Sequence, residues 1–200
     1  MLRRTQIAVM FLPAVASVLF NRPALADDDH AFNRVGNIVI ADQFNNRVVE
    51  INPETHGIVW QFGTGSSVPG PDSIVGTNDA ERVGELTLIS GTGIPPASPP
   101  LPGCPDAVNG CPDNRVILVD PDGRIVWQYG QAGVAGAGPD QLNTPVAATL
   151  LRNFHVLITD QVNERVIEVN LEKHIVWQYG ATGVSGNGAN QLNNRTAPNC

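Results

Sequence analysis

A chain of 200 residues that is 42% hydrophobic and carries 20 glycines and 16 prolines is long enough to bury a core and rich in turn formers. Only 16% of it is charged, and no run of like charge or polar low-complexity tract occurs, which excludes a disordered chain. Its formal charge of −7 argues against nucleic acid or an anionic membrane as a partner.

In chain order, Arg3 and Arg4 precede an apolar stretch, residues 7–20, that is too short to span a bilayer and is broken by Pro13. Ala24-Leu25-Ala26 puts small residues where a signal peptidase cuts. Residues 1–26 are therefore expected to be a signal peptide and the protein to be secreted or periplasmic, with an uncleaved anchor as the alternative. Cleavage would remove Arg3, Arg4 and Arg22 but no acid, leaving 9 basic against 19 acidic residues, a charge of −10, and no membrane span.

The rest of the chain is organised by a repeat. All three tryptophans, Trp60, Trp127 and Trp177, stand in an Ile-Val-Trp-Gln-aromatic-Gly phrase, and Arg47, Arg115 and Arg165 each open a β-branched run upstream. The arginine-to-tryptophan distance is 13, 12 and 12 residues. Turn residues between the two runs (53–57, 121–124, 171–174) predict a hairpin. A strand precedes each hairpin, at 37–42, 85–90 and 155–160, and a shorter one comes before it at 79–83 and 144–151. Four short antiparallel strands recurring at spacings of 68 and 50 residues predict an all-β chain of β-propeller blades, about three of them. The expected blades cover about residues 32–63, 77–130 and 143–180, with the start of a further one at 190–200. Each tryptophan is expected to bury against the next blade, and the unbroken apolar runs 38–40 and 156–158 to be covered on both faces.

A proline-rich insertion, residues 92–112, interrupts the second unit and contains Cys104 and Cys111. In an oxidising compartment these close a small loop as a disulfide; two free thiols or half a metal site is the alternative. Cys200 has no evident mate.

The phrase Asn143-Thr144-Pro145 through Ile158-Thr159-Asp160-Gln161-Val162-Asn163-Glu164-Arg165-Val166 to Trp177-Gln178-Tyr179-Gly180 resembles an NHL repeat, with its Asn/Asp-rich turn followed by Arg-Val. The closing tryptophan strand is also similar to repeats of quinoprotein propellers and of bacterial arylsulfotransferases. The resemblance implies a propeller that usually has six blades, more than the three strand triplets of this chain. A fragment, a truncated reading frame, and a protein that completes its ring by self-association are the three readings this leaves.

Asp42 and Asp160 end the second strand five residues before Arg47 and Arg165. They could line a ring of carboxylates facing a ligand; alternatively they accept hydrogen bonds from the turn and pair with the arginine. The second copy has Gly110 at that offset, which weakens a ring of equivalent ligands. His56 and His174 share a turn position where the second copy has Arg124, so they read as turn residues, with catalysis as the alternative. His155 opens a strand, and His30 lies in the N-terminal tail. No His-x-His, Cys-x-x-Cys or Gly-x-Ser-x-Gly phrase concentrates metal or nucleophilic chemistry, so no cofactor is expected. The glycine links at 133–138 and 183–188 lack the lysine and the strand-to-helix setting of a phosphate cradle. The reading that follows is an exported binding or scaffold module for a protein, glycan or small-molecule ligand. The alternative is part of a propeller enzyme, lyase or arylsulfotransferase, whose site lies partly in further blades.

Overall fold

The computed structural model describes residues 32–193. The expected signal peptide, His30 and Cys200 lie outside them, and residues 190–193 are the described part of the expected further blade. Eleven strands form three antiparallel sheets that follow one another along the chain. Blade 1 is β1 (Ile38–Asp42), β2 (Arg47–Ile51) and β3 (Ile58–Phe62). Blade 2 is β4 (Thr77–Val83), β5 (Leu86–Gly91), β6 (Arg115–Val119) and β7 (Ile125–Tyr129). Blade 3 is β8 (Pro145–Leu150), β9 (Val156–Asp160), β10 (Arg165–Val169) and β11 (Ile175–Tyr179). These are consecutive blades of an incomplete β-propeller. Blade 1 has three described strands where four per unit were expected, because residues 32–37 turn instead of running beside β1.

The same local devices recur in each blade. The paired strands slip register at Glu50/Ile51, Leu118/Val119 and Glu168/Val169, a bulge at one place in every hairpin that adds twist to the outer strands. The turn before each arginine strand ends in a left-handed residue, Asn46, Asn114 or Glu164, with φ of 52°, 62° and 56°. Gly63, Gly130 and Gly180 close the blades at φ near +100°; a Cβ on Gly130 would stand 2.2 Å from the Asn114 carbonyl, so only glycine fits.

The core lies between the blades. One cluster joins Trp60 and Phe62 of blade 1 to Ile89, Ile117 and Val119 of blade 2. A second joins Trp127 and Tyr129 of blade 2 to Ile158, Ile167 and Val169 of blade 3. Polar latches fix the same joints. Trp60 Nε1 donates to the Pro121 carbonyl of blade 2 at 3.1 Å, and Trp127 Nε1 to the Leu171 carbonyl of blade 3 at 3.1 Å. Near the opposite end, Gly76 N–H donates to Asn46 Oδ1 and Thr144 N–H to Asn114 Oδ1, each at 2.9 Å.

Two expectations about coverage fail at the outer blades. Trp177 is 48% exposed, against 8% for Trp60 and 9% for Trp127, because no described blade follows it. Ile38 and Ile40 of blade 1 are likewise exposed, because no described blade precedes them, whereas Val156 and Ile158 are buried. Among the described residues no helix is long and apolar enough to cross a membrane.

Candidate functional site

Each innermost strand starts at one end of the arc, called here the upper end, where the arginines, the second-to-third-strand connections and the inter-blade linkers also lie. The candidate aspartates are built into this end as structure. Asp160 is fully buried: its Oδ2 receives Arg165 Nε at 2.8 Å and Asn163 Nδ2 at 2.7 Å, while Oδ1 receives the Asn143 N–H at 2.7 Å. Arg165 reaches on to the carbonyls of Ala137 and Gln141 in the linker from blade 2. One ion pair thus ties a blade to the linker that leads into it. Asp42 pairs with Arg47 at 2.8 Å in the same register, partly exposed, with Asn45 against both its oxygens.

In blade 2 the place paired with the arginine belongs to Gly91, not to the Gly110 chosen by sequence offset. A carboxylate is present there all the same. A Cβ on Gly91 would stand 2.8 Å from the carboxyl carbon of Asp113, so Asp113, two residues before Arg115, reaches across and fills the space of the missing strand-end side chain. Its Oδ1 receives Arg115 Nε at 2.5 Å and its Oδ2 the Val75 N–H at 2.6 Å. Arg115 goes on to the carbonyls of Gly70 and Ser73 in the preceding linker. Burial pushes the carboxyls of Asp113 and Asp160 above the ordinary aspartate value, against the pull of their arginine and amide donors. Buried and saturated, neither is placed to meet a ligand. The glycine that excuses Asp113 from the strand end was the signal that fixed offsets missed.

His56 and His174 are exposed at the opposite, lower end, in the hairpin turns after β2 and β10. There the Asn52 N–H donates to the Gly57 carbonyl and the Asn170 N–H to the His174 carbonyl. His155 also lies at the lower end, its Nδ1 2.6 Å from Glu168 Oε1. Hydrogen bonding from His155 and Asn153 holds the Glu168 carboxyl below the ordinary glutamate value. The candidate histidines His56 and His174 and the candidate aspartates Asp42 and Asp160 are therefore on opposite ends and form no common site. Among the described residues no group of three or more His, Cys, Asp or Glu is arranged to hold a metal.

One concave feature of the upper end is a cleft of about 380 Å³ above the starts of β4 and β8. Carboxamides line it: Gln43, Asn78, Asn109, Asn114, Asn143 and Gln161. Hydroxyls of Thr92 and Thr144 and the apolar surfaces of Pro95, Pro96 and Val146 complete it, with no charged side chain among the described lining residues. Gln43 Nε2 donates to Asn78 Oδ1 across the joint of blades 1 and 2 at 3.2 Å. One wall is the insertion. Cys104 and Cys111 form a disulfide, S–S 2.00 Å, and with Val75, Ile94 and Leu101 make a small core of their own. Asn46 Nδ2 donates to the Gly103 carbonyl at 2.7 Å, which seats the insertion on blade 1. No sequence motif marked this cleft, because its six amides come from separate turns and strand ends.

No protein-family model matches the sequence, and no curated protein matches it. Among solved structures it is similar to a protein of unknown function from Bacteroides caccae, at 17% identity and a TM-score of 0.45, over 73% of this chain and 41% of that one. It is also similar to a catalytically inactive virginiamycin B lyase from Staphylococcus aureus with quinupristin, at 14% identity and a TM-score of 0.43, over 72% and 37% of the two chains. A third is the dihydro-heme d1 dehydrogenase NirN in complex with DHE, at 12% identity and a TM-score of 0.37, over 84% and 39%. The chain spans about two fifths of the length of each.

Proposed function

We propose that this chain is the binding module of an exported propeller of NHL-repeat type, and that the upper cleft takes an uncharged, hydroxyl-rich ligand, a neutral glycan. The observation that carries this reading is the lining itself: six carboxamides and two hydroxyls with no charge. A carboxamide offers a donor and an acceptor side by side, which suits vicinal hydroxyls, and the proline rings offer the apolar surface that a sugar face covers. A disulfide in the cleft wall fits an oxidising compartment, as the N-terminal sequence also does.

Calorimetric titration of the full chain with neutral oligosaccharides tests this. Binding is expected, and Asn78→Ala should weaken it by about 3- to 10-fold, the worth of one ordinary hydrogen bond. Preference for a charged oligosaccharide, or equal binding by the variant, would sink the assignment. Release of product from a bound substrate would point instead to an enzyme.

A further inference from the structure

Blade 3 turns to solvent the face that blades 1 and 2 bury. Trp177 and Tyr179 stand at the register positions of Trp127 and Tyr129, opposite Glu168 and Val166 as those stand opposite Leu118 and Val116. What covers this face is visible twice within the molecule. It is the back of the next blade, whose turn supplies a carbonyl to the indole: Pro121 to Trp60, Leu171 to Trp127.

The seat for such a blade is already formed. The linker after blade 3 folds like the linker that hands the chain from blade 2 to blade 3. Gly180 N–H meets Asn190 Oδ1 at 2.8 Å as Gly130 N–H meets Asp140 Oδ1 at 3.0 Å. The Gly186 N–H donates to the Leu192 carbonyl as that of Gly136 does to Leu142.

The matching back face exists on this chain and is open in part: Ile40 and Ile51 keep some exposure, while Val49 between them is 5% exposed. Ile40, Val49 and Ile51 of blade 1 hold the register positions of Ile89, Ile117 and Val119, which pack beneath Trp60. Ile40 is 39% exposed while Ile89 and Ile158 are fully buried. Pro53 follows Arg47 at the distance at which Pro121 follows Arg115, and it is exposed.

We propose that the Trp177 face of blade 3 docks on the blade 1 back face of a second copy of this chain, with Trp177 Nε1 donating to the Pro53 carbonyl of that copy. The contact joins two different surfaces, so copies assemble head to tail, as a closed ring or a growing chain. A foreign partner would have to reproduce both the aliphatic triplet and the turn carbonyl, which blade 1 already carries.

Sedimentation velocity of the full chain over rising concentration tests this, with Trp177→Glu and Ile40→Glu alone and mixed. The unmodified chain should associate, and Trp177→Glu should weaken association by about 30-fold or more, as loss of a buried aromatic anchor does. The two variants should each be monomeric alone yet form a dimer when mixed, since each retains the half the other has lost. A wild-type chain that stays monomeric, a variant that still self-associates, or a mixture that stays monomeric overturns the proposal. Should either glutamate variant fail to fold, tryptophan emission decides. Dilution should shift wild-type emission to the red through Trp177 and leave Trp177→Phe unshifted; a shift that persists in that variant overturns the proposal.

Discussion

Three arginines in one register sit at two depths of burial, which lets a single substitution be read against its surroundings. Arg115 and Arg165 are 2% exposed, paired with buried aspartates and bonded to linker carbonyls, while the Arg47–Asp42 pair is partly open to water. Arg115→Met leaves a buried carboxylate with no cation, which costs about 3–5 kcal/mol; Arg47→Met breaks a solvated pair and costs about 1 kcal/mol or less. Urea unfolding of the two variants side by side checks the ordering. The deep cost should depend on pH. Burial already raises the Asp113 carboxyl above 3.8, and without Arg115 its strongest opposing donor is gone. An acid whose pKa is raised on folding binds its proton more readily in the folded state. Stability of Arg115→Met should therefore fall as pH rises from 3.8 through the raised value, and its deficit should shrink toward acid. Glu168 has the opposite sign. Its carboxyl is held below 4.5 by His155 and Asn153, so its contribution is present above that value and lost as pH falls through the lowered one. Glu168→Gln should be less stable than wild type at neutral pH, with the gap closing in acid; urea midpoints across about pH 3 to 6 would show it.

At the scale of the strand, the tryptophan phrase has one sequence and two fates. Trp60→Ala and Trp127→Ala each empty a buried site between blades and remove a hydrogen bond, at about 3–5 kcal/mol. Trp177→Ala changes a half-exposed side chain in the isolated chain and should cost clearly less, within about 1–2 kcal/mol by the apolar area it still buries. Equal losses at all three positions, measured by thermal melting at a concentration where the chain is monomeric, would contradict the exposures. The strands were legible because β-branched runs between turn residues, repeated three times, leave little other choice, and the hairpin register followed from the Arg–Trp spacing. The strand partner of Arg115 was not legible. The insertion stretches the chain between β5 and β6, so counting back from Arg115 lands on Gly110 inside the loop, while the register lands on Gly91. Nor was the cleft, since a site assembled from Gln43, Asn78 and Asn143 has no spacing in sequence to betray it; only the packing of blades brings them together.

Across the whole molecule, the insertion acts as a clamp between blades. It leaves β5 of blade 2 and returns at β6, yet Thr92 Oγ1 donates to the Pro145 carbonyl of blade 3 at 2.5 Å, and the Gly103 carbonyl accepts from Asn46 of blade 1. A Cβ on Gly103 would lie 2.4 Å from the Phe44 carbonyl, so the loop is seated directly on the first turn of blade 1. The disulfide closes the loop at a separation of 7 residues, which by chain entropy stabilises by about 2–3 kcal/mol. Its loss should act in two places at once. Melting of the Cys104→Ser/Cys111→Ser double variant should fall by about 5–10 °C, given 2–4 °C per kcal/mol for a domain of this size. Ile94, Pro95, Pro96 and Asn109 would lose their fixed place in the cleft wall, so glycan titration should weaken along with it. The Trp177 face is made by blade 3, with no contribution from the insertion, so head-to-tail association at 25 °C should be unchanged. A double variant that melts lower, binds more weakly and still assembles would separate the two surfaces. If instead it loses assembly while remaining folded, the clamp reaches further through the blades than its hydrogen bonds to Asn46 and Pro145 account for.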